Sequence, residues 1–319
     1  MNEMEYLVSV INRIYFPDAH CNDVFWAPRT ITCQKKYPGK HPGYTLYAYG
    51  GAAVSLFFVS PGQYYGNAFD EDYFKGEEKK GNEINGDFEK NIENGIEFLI
   101  GWKYWDSVLS AFRDRSFGER KRENRIAKNH SAYGGKYEIF DMESNTKTKD
   151  FAAKADMLWL SEKDGSPCIS LVEYKCTDAA MKKDEKYSLS GHFSKMVKYY
   201  NKKETGDVLI QLLNRKRLLR GEPFFGEHIV QTIIVFLFSH INITRHPMYE
   251  KGVSEGNIKR RIHEMFKDNQ IEFEKHIDDI AFAFIDDENA DLQKMRMISA
   301  REVDFSSEET IWDSLQKVQ

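Results

Sequence analysis

The sequence predicts an α/β protein with a mixed central sheet flanked by helices and an amino-terminal extension. Three observations carry this prediction. A helical stretch precedes three short runs rich in β-branched and aromatic residues, which read as a meander. Helical segments then lead to a long apolar strand, the order expected of a parallel crossover, and helix and strand signals alternate once more before residue 286.

Taken in order, residues 1–65 are rich in aromatics and glycine, and YTLYAY and AAVSLFFV form two extended runs around Gly50-Gly51, the pattern of a hairpin. Residues 66–90 are acidic, polar and punctuated by glycine, so they read as a long exposed connection with a boundary near residue 90. From Phe88 to Ser131, apolar residues recur at helical spacing, broken at Gly95, Gly101 and Gly118, which predicts two or three helices. The period then changes. KYEIFDM, FAAKADMLWLSE and PCISLVEYKC read as strands, the last two joined by the turn Lys163-Asp164-Gly165-Ser166. SGHFSKMVKYYN and DVLIQLLNRKRLL follow as helices, HIVQTIIVFLFSHIN as a buried strand, GNIKRRIHEMFKDN as a helix and DDIAFAFID as a final strand. Residues 1–90 are thus expected to form a recognition or assembly region, and residues 91–319 the main domain.

Composition bounds the function. Of the 319 residues, 41% are hydrophobic and 30% charged, which excludes disordered, collagen-like and coiled-coil chains. The longest apolar stretch, Ile229 to Phe238, is about half the ~20 residues of a membrane span, and Glu3 and Glu5 stand where a secretory leader carries positive charge. Cys21, Cys33, Cys168 and Cys176 have no CxxC spacing, so reduced thiols, no zinc site and a cytoplasmic location are expected. The net charge of -5 excludes wholesale coating of nucleic acid, yet charge is segregated. Residues 113–136 hold eight Lys or Arg against three acids and residues 181–220 eleven against four, whereas residues 61–100 and 270–319 are acidic. Solvated helix faces explain such blocks equally well, unless something between them uses the charge.

Between them lie Asp156, in KADMLWL, and Glu173-Tyr174-Lys175, in ISLVEYKC. If the two strands pair, the carboxylates lie side by side, and Glu173 and Lys175 share a face because strand side chains alternate. Two such carboxylates make a hard-oxygen site suited to Mg²⁺ or Mn²⁺ and to phosphoryl chemistry, with the lysine orienting water or neutralising charge. Converging carboxylates also predict a raised pKa for at least one of them until metal enters. Acid-x-Lys also begins at Glu77, Glu78, Glu119 and Asp184, but only the Glu173 copy sits in an apolar strand. The bland alternative is an edge hairpin with a cross-strand ion pair.

On Asp156, Glu173 and Lys175 the chain resembles the PD-(D/E)xK nuclease superfamily, whose restriction-endonuclease-like core runs helix, three-stranded meander, helix, strand. The resemblance covers about residues 107–240, and departs from the motif in having Ala155, not Pro, before the first acid. It implies a Mg²⁺-dependent nuclease, with Mn²⁺ as substitute, acting endonucleolytically on DNA in restriction, phage defence or recombination and repair. It also implies a supporting glutamate on the preceding helix, Glu123 before Glu119. The helix after the motif strand is implied to offer Lys195, Lys198, Lys202 and Lys203 to phosphates, with Arg215 and Arg217 beyond it. Gln211 resembles a glutamine of the recombination-nuclease branch, or is a surface amide. His192 and His228 lack partners at metal-ligand spacing and read as structural. Cys176 reads as a buried strand thiol. A homodimer is compatible with this reading, and no membrane partner is expected. The rivals are a catalytically inactive nuclease-like fold that binds nucleic acid or acts in assembly, and an unrelated α/β interaction protein.

Overall fold

Period-two alternation early in the chain closes into an antiparallel sheet in the computed structural model of the protein. The structure describes residues 3–12, 24–33, 39–60, 63–68, 109–110, 113, 118–148, 151–181, 188–201, 205–226, 231–239, 252–285 and 291–317. After α1 (Glu3–Ile11), β1 (Val24–Cys33), β2 (Gly39–Ala48), β3 (Gly51–Ser60) and β4 (Gln63–Ala68) pair in sequence order. The hairpin expected at Gly50-Gly51 forms one residue earlier, with Ala48 opposite Gly51. Its turn residues Tyr49 and Gly50 have φ of 51° and 86°, and a two-residue turn with both φ positive matches the twist of the strands it joins.

The chain divides into two compact units, residues 1–128 with 211–225, and residues 129–210 with 226–319. The boundary expected near residue 90 lies outside the described residues, as do the helices expected over 91–108. The first unit also holds nearly all of α2 (Gly118–Asn129), whose Asn124 Oδ1 accepts from Gly50 N at 3.3 Å, and the carboxyl-terminal part of α4 (Thr205–Arg220).

The second unit is built on a six-stranded mixed sheet of order β10-β9-β8-β7-β6-β5. The three expected meander strands are β5 (Glu138–Thr148), β6 (Phe151–Lys163) and β7 (Ser166–Lys175), antiparallel throughout. Asp164 and Gly165, φ 53° and 74°, make the β6–β7 turn, where Asp-Gly suits two consecutive positive φ angles. Next come α3 (Leu189–Tyr200) and α4, and β8 (Gln231–Ser239) returns parallel to β7, as expected of a crossover. After α5 (Glu255–Asp268) and α6 (Gln270–Lys275), β9 (Ile280–Ile285) is parallel to β8. It is not the last strand: β10 (Arg296–Ser299) pairs antiparallel at the sheet edge, followed by α7 (Glu308–Gln316). Four residues are too few for a periodic signal, which is why β10 escapes a sequence reading.

β8 reads as an unbroken apolar run because residues on both of its faces are buried. One face is covered by α3 and by a phenylalanine cluster: Phe193 of α3 lies 6.4 Å from Phe236 and 5.4 Å from Phe273, and Phe273 lies 5.0 Å from Phe305. Among the described residues, no helix is long and apolar enough to cross a membrane.

Candidate functional site

The β6–β7 ladder has Met157 opposite Val172, which makes Asp156 and Glu173 the next cross-strand neighbours, on one face of the sheet. The backbone ladder between the two strands ends at Met157 and Val172, and Asp156 takes over: its Oδ2 accepts from the Tyr174 backbone N–H at 2.8 Å. The carboxylate thereby supplies the partner that a buried amide requires. Glu173 and Lys175, two residues apart, share the face as alternation demands, and Lys175 Nζ lies 2.6 Å from Glu173 Oε1 and 4.0 Å from Asp156 Oδ2. One ammonium therefore serves both carboxylates.

The site is nearly dry. The Glu173 side chain has no exposure, and those of Asp156 and Lys175 retain about a tenth of theirs. Burial alone would raise the Glu173 pKa, but the Lys175 ammonium and the His192 hydrogen bond outweigh it and hold the carboxyl down at about 2. The raised pKa expected for converging carboxylates is thus reversed at Glu173, because two nitrogen donors converge with them.

One of these donors is a histidine that the sequence reads as structural. His192 Nδ1 lies 2.8 Å from Glu173 Oε2, so Glu173 has Lys175 on one oxygen and His192 on the other. Ser188 caps α3 by accepting from Gly191 N at 3.0 Å, and the helix buries Leu189, Phe193, Met196, Val197 and Tyr199. His192 falls on that buried stripe, three residues after Leu189 and four before Met196. The signal in the sequence is a histidine on the inward face of the helix that follows the acid-x-Lys strand.

The outward face of α3 lines a cleft of about 630 Å³ with α5, and Lys195 and Lys198 stand in its wall beside Ser194 and Arg261. Arg261 is engaged by Glu264 at 2.6 Å and donates to the Met181 carbonyl at 3.1 Å, leaving its charge partly compensated. Lys202, Lys203 and His228 lie outside the described residues.

Other sequence candidates fall in the first unit. Glu123 is buried in α2, and Glu119 lies in the first turn of the same helix. Gln211 is exposed. Arg215 and Arg217, expected to contact phosphate, make contacts within the first unit. Arg215 Nη1 donates to the Arg29 carbonyl at 3.3 Å, and Arg217, only 6% exposed, donates to the Pro223 carbonyl at 3.4 Å and lies over the Phe225 ring. Cys168 and Cys176 are buried, and burial pushes the Cys168 thiol up to about 11, far from the range of an activated nucleophile.

Among the described residues, no set of three or more His, Cys, Asp or Glu side chains is arranged to hold a metal ion. Asp156 and Glu173 offer two hard-oxygen donors, and their shared ammonium already marks the place where positive charge is stabilised. That donor set fits Mg²⁺, which binds through one or two carboxylates and retains water or takes substrate phosphate for the rest. Comparisons with family models, curated proteins and solved structures return no match.

Proposed function

We propose that the second unit is a Mg²⁺-dependent nuclease that hydrolyses phosphodiester bonds, with DNA as its polymer and Mn²⁺ as an alternative ion. The observation that carries this reading is the single Lys175 ammonium placed between two carboxylates on one face of the sheet. Asp156 and Glu173 would hold the ion. When bound, it would lower the pKa of a water and stabilise charge on the phosphoryl oxygens. The Tyr174 N–H fixes Asp156 Oδ2. The low Glu173 pKa keeps that carboxyl ionised, as a hard ligand requires. Lys175, displaced from its ion pair by the incoming cation, would orient the attacking water or neutralise the transition state. Lys195 and Lys198 would receive backbone phosphates along the α3 cleft. The restriction-endonuclease-like core belongs to the same proposal, supported by the helix, meander, crossover and parallel-strand order.

A specific observation favours the rival, a nuclease-like fold without catalysis. The Glu173 side chain is fully buried and each of its oxygens already has a nitrogen partner, so the cluster could serve folding alone. The deciding experiment incubates the full chain with supercoiled, linear and single-stranded DNA, and with RNA, in Mg²⁺, Mn²⁺ or chelator. The nuclease reading expects metal-dependent cleavage that chelator abolishes. Absence of cleavage under every metal condition, with nucleic-acid binding retained, would establish the rival.

A further inference from the structure

We infer that His192 is the positioning residue of the site: it anchors Glu173 Oε2 and leaves Oε1 as the oxygen that turns toward a divalent cation. This inference rests on the metal-dependent reading of the preceding subsection.

The two oxygens of Glu173 are not equivalent. Oε1 meets Lys175 Nζ at 2.6 Å, and the same ammonium lies 4.0 Å from Asp156 Oδ2, so Oε1 faces the space shared by the two acids. Oε2 meets only a ring nitrogen of α3, His192 Nδ1 at 2.8 Å, among the ion pairs of the cluster. A glutamate carboxylate turns freely about its last torsion, which is broad and two-fold, and a donor held on one oxygen removes that freedom.

The two donors also differ in rigidity. Lys175 presents a point charge on a flexible four-carbon stem, able to withdraw when a dication arrives. His192 has a short side chain on a twelve-residue helix that is capped by Ser188 and packed inward through its neighbour Phe193, which lies 6.4 Å from Phe236. Phe236 is the residue paired with Glu173 in the parallel β7–β8 register. The packing that seats α3 therefore also sets the distance from His192 to Glu173. Lys175 is the exchangeable partner and His192 the fixed one. Partners of this kind, bonded to a ligating carboxylate, typically govern metal affinity by 10- to 100-fold.

The test measures binding of Mn²⁺ alone to the full chain by isothermal titration calorimetry, without nucleic acid, in wild type, H192A and H192N. Asn retains a nitrogen donor near the Nδ1 position. The expected result is a Kd for Mn²⁺ raised by about 10- to 100-fold in H192A and largely recovered in H192N, at a temperature where both are folded by circular dichroism. A purely structural histidine would lower thermal stability and leave this affinity unmoved. Wild-type affinity in folded H192A, or no recovery in H192N, would overturn the inference. Should H192A fail to fold, H192L and H192N provide the same contrast, Leu keeping bulk without a donor. Failure of the parent reading is separately visible: wild type would then bind no Mn²⁺, or bind it equally well as D156N and E173Q, and the role of His192 would fall with it.

Discussion

Two buried lysines, one in each unit, differ in the partners that folding gives them. Lys216, on α4 in the first unit, is 3% exposed, lies 3.7 Å from the centre of the Phe25 ring and donates to the Trp26 carbonyl. Tyr44 donates its hydroxyl to the Arg215 carbonyl at 2.8 Å, and Arg215 donates to the Arg29 carbonyl at 3.3 Å. These contacts tie the helix to the sheet of its own unit. Lys175, 8% exposed on β7 in the second unit, faces two carboxylates instead. A carbonyl and a ring give a buried cation fixed partners that neither titrate in the ordinary pH range nor bind other cations strongly. Carboxylates gather charge that protons, or a dication, can compete for. Similar burial can thus leave a lysine among very different partners.

The largest expected effect separates the two lysines by activity. D156N, E173Q and K175A should each reduce metal-dependent cleavage by at least about 10³-fold, a barrier increase of roughly 4 kcal/mol, whereas K216M should retain it. Near wild-type turnover in any two of the first three variants would remove the site from the mechanism.

Stability comes next. Removing Lys175 by K175M leaves Glu173 buried with only His192, and breaking a buried pair from one side costs about 3–5 kcal/mol in denaturant titrations. The double variant E173Q/K175M should lose less than K175M alone, since no uncompensated charge remains. K216M forfeits a ring contact and a hydrogen bond, about 1–3 kcal/mol in the same titrations. Additivity of E173Q and K175M would show that the pair is not coupled.

Acid sharpens the contrast. The Glu173 pKa is lower in the folded chain, about 2, than its ordinary 4.5, so its ionised form favours folding. That contribution is complete above pH 4.5 and is lost as the pH falls toward 2. Stability measured across this window should fall in wild type and fall less steeply in E173Q. An identical slope in the two proteins would mean that Glu173 is not held ionised by its partners.

The smallest effect concerns the outer face of α3. Nucleic-acid affinity should fall with salt, and K195A/K198A should reduce the slope of log K against log salt by up to about 2, without altering sequence preference. An unchanged slope would place the phosphate contacts elsewhere.

Local chemistry made much of this protein legible in one dimension. The Asp164-Gly165 turn, the apolar runs of β6, β7 and β8, and the helical spacing of α3 and α5 depend on residues near one another in the chain, so their signals survive without a partner. Alternation likewise placed Glu173 and Lys175 on one face before any sheet existed. Only the tertiary structure decided the rest. Asp156 reaches the pair through antiparallel register, where a one-residue slip would turn every side chain of the strand to the other face. His192 reaches Glu173 because α3 folds back over β7 and β8, a contact between residues 19 positions apart that no local period encodes. Arg215 and Arg217 read as basic side chains available to phosphate, and the fold gives each of them a backbone carbonyl as a partner. Charge is a property of the residue, but whether it meets water, a carbonyl or a carboxylate is settled by packing, and packing is not written in any single segment of the chain.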